Sequence, residues 1–291
     1  MSDFLFKKGS TWETKAAFVK AGSTWVPLNT PSSQIGSEWV LDFEDYFSGS
    51  TLNTAYWNVT DWSSPASNNS AVWRASNVIV TGGNLRILSK EESFGSYSWT
   101  SGNIQSYSSN KYMTPRNYFR AEVRFRAPHQ VGFWPAPLWF RPIKDGAVVD
   151  GEIDLYEGWG IQRPNFLVKA TLHGPYASPH AQIERHISWT GIPNPDPSDW
   201  HTAVIEKTPG QIKCWMDGVL FATFNGTQSQ GNWTPSHWTS FMEDTEYQWS
   251  PRITMQIGLP SAGEDPDNTV DWSPDASTMF IDYVKIWDYR P

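Results

Sequence analysis

Apolar and polar residues alternate with a period of two over many short stretches of the chain. The clearest case is "YFRAEVRFRA" (118–127), in which Phe119, Ala121, Val123 and Phe125 fall on one face and charged side chains fall on the other. Such alternation is typical of a β-strand with one buried face. The stretch therefore predicts a strand that covers a hydrophobic core.

Strand and turn signals continue from residue 38 to the end, with almost no helical periodicity. The stretches 77–90, 203–224 and 279–289 predict strands, separated by turns such as Pro209-Gly210 and Asp217-Gly218. Many antiparallel strands over about 250 residues predict an all-β fold. The expected architecture is a two-sheet antiparallel jelly-roll sandwich of the concanavalin-like type.

A short repeat precedes this region. "KKGSTW" (7–12) returns as "KAGSTW" (20–25), and each copy has a Gly-Ser turn signal beside a tryptophan. The repeat predicts a small β-hairpin module over residues 1–34, followed by the jelly-roll domain over residues 35–291. Two such units bury little surface alone, so the module either docks onto a partner or is a terminal decoration.

The composition narrows the classes of ligand. Aromatic residues make up 15% of the chain, with 18 tryptophans, whose flat faces stack on sugar rings as well as filling a core. The net charge of −8 argues against a nucleic acid partner, and no stretch is long and apolar enough for membrane insertion. The segment after Met1 has no apolar signal-peptide region, so ordinary export is not expected.

Three carboxylates stand within six residues in "GEIDLYEGWG" (151–160). On a regular strand Glu152 and Asp154 share a face, and Glu157 points to the opposite one. A β-bulge around Leu155-Tyr156 would reset the alternation and bring all three acids together. Glu152 and Glu157 would then approach to about 5–5.5 Å, the separation of a retaining glycosidase pair.

Such a cluster suits acid–base chemistry, because like charges on one dry face raise at least one pKa. Asp154 would orient the nucleophile. Two other interpretations stay open on the pattern alone. The acids could form a solvent-exposed edge strand, or they could bind a calcium ion.

The flanking residues favour a carbohydrate site. Trp134 and Trp139 lie in "GFWPAPLWF" (132–140), and Trp159 follows the last acid, so these three are the expected sugar platforms. On the next strand, "ATLHGPY" offers His173, which is either a structural histidine or a substrate contact.

"GFWPAPLWF…GEIDLYEGWG" resembles the active-site region of glycoside hydrolase family 16, in its laminarinase/agarase-like group with the bulged E-x-D-x-x-E motif. Further similar segments, among them 43–59, 118–128 and 280–289, follow in family order from about residue 38. The resemblance implies a long concave cleft and retaining endo-hydrolysis of a β-linked glycan. It also implies that catalysis requires no cofactor.

By position, the resemblance implies that Glu152 is the nucleophile, Asp154 its assisting acid and Glu157 the general acid/base. It matches Trp134 and Trp139 to cleft tryptophans of the family. Gln256 stands where the family usually has an asparagine on a late cleft strand. This change and the longer "WPAPLW" put a plain β-1,3-glucan specificity in doubt.

The resemblance also implies a structural Ca²⁺ on the convex side, for which Asp282 matches the late ligand position. The early segment departs from the family pattern, because it reads "EDYF" and has Tyr46 where an acid often stands. The calcium expectation therefore rests on Asp282 alone.

The N-terminal hairpins resemble short modules of bacteriophage minor tail proteins. The resulting hypothesis is a retaining endo-β-glycanase on a phage tail, bound to other tail proteins through residues 1–34. It would act at the host surface on a cell-wall, capsular or related polysaccharide, a glucan or a galactan. The alternative function is a non-catalytic, glycan-binding receptor-binding tail protein, and the alternative location is extracellular by a non-classical route.

Overall fold

The computed structural model describes the backbone of residues 3–8, 11–16, 18–21 and 24–27, and residues 35–66, 69–107, 111–158, 167–176, 179–259 and 264–291 with their side chains. Within these ranges the chain is almost entirely β-structure. The helices are α1 (Pro235–Phe241), α2 (Pro274–Ser277) and the 3₁₀ turns Ala75–Asn77 and Trp189–Gly191. The described helices include none with the length and apolar character that a membrane crossing requires.

The described strands are numbered in chain order. They are β1 (Asp3–Lys8), β2 (Thr11–Ala16), β3 (Phe18–Ala21), β4 (Thr24–Pro27), β5 (Trp39–Asp45), β6 (Asn58–Val59), β7 (Val72–Trp73), β8 (Val78–Thr81), β9 (Asn84–Leu88), β10 (Lys90–Phe94), β11 (Tyr97–Ser101), β12 (Asn103–Gln105), β13 (Phe119–Arg126), β14 (Phe133–Lys144), β15 (Ala147–Val148), β16 (Glu152–Glu157), β17 (Leu167–His173), β18 (Gln182–Ser188), β19 (His201–Thr208), β20 (Gln211–Met216), β21 (Val219–Asn225), β22 (Gln248–Ile257) and β23 (Thr278–Tyr289).

Two large antiparallel sheets, each with eight described strands, make up the jelly-roll sandwich. We call one the front sheet, with the order β18-β17-β16-β14-β22-β12-β6 and β15 on β14. The back sheet has the order β21-β20-β19-β13-β23-β9-β8, with β5 on β23. A smaller sheet has the order β10-β11-β7. This architecture confirms the predicted all-β sandwich.

The core lies between the two large sheets. The predicted apolar face of β13 is fully buried, and its Phe119 and Phe125 rings pack 4.7 Å from Phe140 and 5.3 Å from Tyr156 on the front sheet. Burying such an aromatic side chain contributes roughly 1.5–3 kcal/mol. These contacts fix the front sheet, and with it β16, against the back sheet.

The polar face of β13 is also covered. Arg120 is 6% exposed, pairs with Glu206 and lies 5.4 Å from the Trp287 ring, while Glu122 accepts a 2.8 Å hydrogen bond from Tyr283. The charges on the outer face of β13 are thus paired with opposite charges and aromatic rings. Buried charges require such partners.

The predicted tight turns close hairpins in the back sheet. The segment 203–224 forms β19, β20 and β21, and Asp217 and Gly218 adopt φ values of 49° and 83° between β20 and β21. Positive φ at both central residues is the conformation of the type I′ turn, one of the two common two-residue hairpin turns. Cys214 on β20 is buried, as its apolar neighbours predict.

The N-terminal repeat forms two antiparallel hairpins, β1–β2 and β3–β4. Lys8 pairs with Thr11 and Ala21 pairs with Thr24, so the two strands of each hairpin flank one copy of the repeat. The Gly-Ser turns of the repeat and residues 28–34, the end of the predicted module, lie outside the described residues. The proposed boundary between residues 34 and 35 stays a prediction.

Candidate active site

Strand β16 contains a β-bulge. Asp154 pairs with Thr171 and Glu157 pairs with Lys169, so three steps along β16 match two steps along β17. The extra residue lies in the segment 155–156, whose two side chains are both buried in the core. The bulge confirms the irregularity that the sequence predicts at this point.

The bulge places the three acids on one face of the front sheet. Glu152 pairs with His173, and positions 169, 171 and 173 alternate regularly along β17. Residues paired with these positions share their face. The face is recessed, because Asp154 and Glu157 are 3% and 7% exposed. The acids therefore form one sheltered cluster, and the interpretation as an exposed edge strand is wrong.

Glu157 is held by two neutral donors and one cation. The Trp134 indole N–H donates to its Oε1 at 3.1 Å, and the Thr171 hydroxyl donates to its Oε2 at 3.0 Å. Lys169 Nζ lies 3.7 Å from the same Oε2. Contacts to both carboxylate oxygens fix the position of the Glu157 side chain.

Glu152 and Asp154 form a buried acidic pair beside His173. His173 Nε2 lies 3.0 Å from Asp154 Oδ2 and 3.9 Å from Glu152 Oε1. Burial, and then the neighbouring Asp154, raise the pKa of Glu152 to about 8. Burial, and then the charge of Glu157, raise the pKa of Asp154 well above its usual range. The pair therefore retains a proton at neutral pH.

Arg141 and Tyr176 complete the surroundings of Glu152. Arg141 Nη1 lies 3.8 Å from Glu152 Oε2, and the guanidinium lies 4.9 Å from the Tyr176 ring. A hydrogen bond from Tyr176 and the positive charge of Arg141 both oppose the rise in the pKa of Glu152. These two residues favour the ionised form of Glu152, whereas burial favours the neutral form.

The site contains five residues that were not predicted from the sequence: four contact the acids, and His180 contacts His173. Alternation along the strands could have predicted three of them. Arg141 lies on the same strand face as Trp139, and Thr171 and Lys169 lie on the same face as His173. Tyr176 and His180 follow β17 in a loop, where alternation gives no signal. The missed residues are Arg141, Lys169, Thr171, Tyr176 and His180.

The predicted sugar contacts on β14 and β22 lie beside the acids. Trp139 pairs with Asp154, and its indole N–H donates to the Thr254 hydroxyl at 2.8 Å. Trp134 pairs with Gln256, whose buried Oε1 has no hydrogen bond partner. Trp134 is only 8% exposed, so little of its ring face is available to stack on a sugar. Its main contact in the site is the hydrogen bond to Glu157. Trp159 lies outside the described residues.

Asp282 lies on the back sheet, away from the acids. Arg124 Nη1 contacts its Oδ2 at 2.5 Å, and Asn84 donates to its Oδ1 at 3.4 Å. Asp282 is not part of any group of three or more His, Cys or acidic side chains among the described residues. The charge partner of Asp282 in the structure is Arg124, and the calcium ion stays a prediction.

The chain is similar in sequence to known endo-β-glucanases. It is 25% identical to a glucan endo-1,3-β-glucosidase A1 of Niallia circulans, with 90% of this chain and 40% of that protein covered. It is also 25% identical to a β-glucanase of Rhodothermus marinus, with 74% and 71% covered. The chain thus spans less than half the length of the first relative. No family model matches the chain.

The structure is similar to that of a laminarinase. The catalytic domain of an endo-1,3-β-glucanase from Thermotoga petrophila superposes with a TM-score of 0.68 at 22% identity, and the match covers 87% of this chain and 99% of that domain. The jelly-roll sandwich is therefore the laminarinase fold, and the homologues are glycoside hydrolases that act on O-glycosyl bonds.

Proposed function

We propose that this chain is a retaining endo-β-glucanase of glycoside hydrolase family 16 that cleaves a β-1,3- or mixed β-1,3(1,4)-linked glucan. The observation that carries the proposal is the common face of Glu152, Asp154 and Glu157 created by the bulge. Two carboxyl groups on one face are the minimum machinery of glycoside hydrolysis. The sequence similarity to endo-1,3-β-glucanases supports the glucan as substrate.

In the first step Glu152 attacks the anomeric carbon, while Glu157 gives its proton to the departing glycosidic oxygen. Asp154 holds the proton of the acidic pair, so that Glu152 can be ionised when it attacks. A covalent glycosyl-enzyme results. In the second step Glu157 takes a proton from water, the water oxygen attacks the anomeric carbon, and Glu152 leaves as a carboxylate.

The contacts of Glu157 suit a group that changes protonation twice in each turnover. The Thr171 hydroxyl can donate to a carboxylate or accept from a carboxylic acid, so it serves both states. Trp134 donates to the other oxygen and keeps the side chain in place. The separation of about 5–5.5 Å between the carboxyl groups of Glu152 and Glu157 stays a prediction.

The roles of the two glutamates can be tested with paired variants. Glu157→Ala should lower the rate of laminarin hydrolysis at least about a thousandfold. The rate with a dinitrophenyl glycoside should fall much less, because dinitrophenolate leaves without a proton. Glu152→Ala should lose activity on both substrates. Azide should rescue Glu152→Ala with an inverted glycosyl azide and Glu157→Ala with a retained one. Glu91→Ala is the matched control, because Glu91 is an exposed acid on β10.

Three outcomes would contradict parts of this proposal. NMR of the first product should show the β-anomer, and an initial α-anomer would exclude the retaining mechanism. Tight binding of glucan without new reducing ends would instead support the alternative, a glycan-binding module on the same fold. Full activity of Glu152→Gln or Glu157→Gln would reject the assignment of the acids.

For the hairpins of residues 1–34, we propose a docking role on a bacteriophage tail, which would place the enzyme at the virion surface. The support is the GSTW repeat and its two described hairpins. The proposal can be tested by mass spectrometry of density-purified virions and of their tail fraction. The chain should be present in the tails, and its absence from them would reject the location.

A further inference from the structure

We propose that Glu152, Asp154 and His173 form a binding site for Zn²⁺ and that the bound ion blocks hydrolysis. The ion binding follows from the geometry alone. The inhibition rests on the proposed function, since it requires Glu152 and Asp154 to act in catalysis.

The three side chains converge on one point. Their nearest ligand atoms all lie within 4.8 Å of one another, and His173 Nε2 is 3.0 Å from Asp154 Oδ2 and 3.9 Å from Glu152 Oε1. Ligands at about 2.0–2.2 Å around a tetrahedral zinc ion lie roughly 3.3–3.6 Å apart. Rotamer adjustments of about 1 Å would therefore complete a three-ligand site with a fourth position open to water.

A second observation points to a ligand between these groups. Asp154 Oδ2 is buried and has no aligned hydrogen bond, although it faces His173 Nε2 at 3.0 Å. A buried polar atom without such a bond is unusual in a folded protein. A cation between the carboxylate oxygen and the imidazole nitrogen would satisfy both atoms.

His180 orients the imidazole for metal binding. His180 Nε2 lies 3.0 Å from His173 Nδ1, and the two rings stack 5.0 Å apart. When His173 Nδ1–H donates to His180, the lone pair of Nε2 points at the two acids. Metal-ligating histidines commonly hold their tautomer through such a partner on the other ring nitrogen.

The donor set selects the type of ion. One imidazole and two carboxylates suit zinc and similar transition metals, whereas Mg²⁺ and Ca²⁺ prefer oxygen ligands only. The site is also reachable, since the Glu152 and His173 side chains are 15% and 12% exposed. A bound ion would neutralise the acidic pair and coordinate Glu152, the proposed nucleophile, so that Glu152 could not attack the substrate.

Binding is tested by isothermal titration calorimetry of the full chain with ZnCl₂, with MgCl₂ as the comparison ion. The wild type should bind one Zn²⁺, and His173→Gln and Glu152→Gln should each weaken binding at least about tenfold. His186→Gln is the matched control. His186 is an exposed histidine on the neighbouring strand β18, and it is not one of the three proposed ligands. Circular dichroism checks that each variant is folded.

One-site Zn²⁺ binding that His173→Gln and His186→Gln weaken equally, or no binding up to about 1 mM, would overturn the site. Laminarin hydrolysis should fall in step with Zn²⁺ occupancy and return on addition of EDTA. If Zn²⁺ binds and hydrolysis is unaffected, the inhibitory role is wrong. If the protein has no glucanase activity at all, the proposed function fails while the calorimetry still decides the metal site.

Discussion

At the scale of single residues, Trp134 could either position Glu157 or stack on a sugar, and the sequence alone does not distinguish these two roles. Its N–H donates to Glu157 and its ring is mostly buried. Trp134→Phe should therefore lower kcat about tenfold, with KM within about threefold, because the lost bond positions a reacting group. Steady-state kinetics on laminarin measure both constants.

The control for this prediction is Trp139→Phe. That change removes an N–H bonded to Thr254 and leaves the acids untouched. It should affect kcat less than Trp134→Phe does. If Trp134→Phe instead raises KM and leaves kcat unchanged, Trp134 is a sugar platform, as the sequence analysis expected.

Lys207 provides a residue-scale test of pH dependence. It is 1% exposed, donates to Asn117 Oδ1 and the Met242 carbonyl, and lies 5.4 Å from the Trp249 ring. Burial lowers its pKa to about 7. Below pH 7 both folded and unfolded chains carry the charge. Between pH 7 and about 10.5 only the unfolded chain holds the proton, so this group makes stability rise with pH.

Lys207→Met should remove that rise. The free energy of unfolding of the wild type, minus that of the variant, should increase by at most about 1.4 kcal/mol per pH unit above pH 7. Urea denaturation at several pH values measures this difference. A difference that is flat or falls with pH would show that Lys207 stays charged, held by its two carbonyl acceptors.

The site residues that regular alternation fixes were predictable from the sequence. Glu152, Asp154 and Glu157 could be placed on one face because parity is a local property that a single bulge resets. Tyr176 could not be predicted, because its position depends on how the loop after β17 folds back over Glu152. Contacts of this kind arise from tertiary packing, which no local period encodes.

At the scale of elements, the bulge makes a prediction about strand length. Asp154 and Glu157 face Thr171 and Lys169, which are two residues apart on a regular strand. Deleting Leu155 would turn the acids into a regular E-x-D-x-E strand and keep all three on one face. The deletion variant should stay folded and keep measurable glucanase activity, within about a hundredfold of the wild type.

The opposite change is the contrast. Inserting one alanine between Leu155 and Tyr156 shifts the parity again and turns the last glutamate away from Trp134 and Thr171. Activity should fall by at least about a thousandfold. Equal activities of the deletion and insertion variants would contradict the register as the source of the common face.

The back sheet carries a test of the expected calcium ion. Asp282 on β23 is already neutralised by Arg124 on β13. Arg124 already supplies the positive charge that a calcium ion would supply to Asp282. Removing metal with EDTA should therefore leave the melting temperature within about 1 °C of its value in calcium. Differential scanning calorimetry measures this, and Arg124→Gln, which frees Asp282, should be the variant that gains a response to calcium. A large loss of stability in EDTA would restore the calcium site implied by the resemblance.

Hairpin turns could be predicted from the sequence. The predicted Asp217-Gly218 turn adopts positive φ at both residues, and its signal lies entirely within the turn. The covered outer face of β13 was not predictable in the same way. Its cover comes from Tyr283 and Trp287, more than 150 residues away along the chain.

At the scale of the whole molecule, the order of strands within each sheet lay beyond sequence reasoning. The acidic strand β16 lies between β14 and β17, close neighbours in the chain, but β14 also pairs with β22, over 100 residues later. That long-range pairing brings Gln256 and Thr254 to the site. The two-sheet class followed from the strand count, whereas the neighbours depend on global packing.

The division of the chain makes the last prediction. Every described strand of the front and back sheets lies between residues 39 and 289, while the described backbone of β1 to β4 pairs only within its own two hairpins. A truncated chain of residues 35–291 therefore keeps both sheets and the acids on β16. It should hydrolyse laminarin with kcat/KM within about twofold of the full chain and melt within about 2 °C of it, since core burial dominates stability. Loss of folding on truncation would mean that the hairpins belong to the same cooperative unit as the sandwich. Unchanged hydrolysis together with loss of the truncated chain from virions would separate catalysis from docking, as the two proposals require.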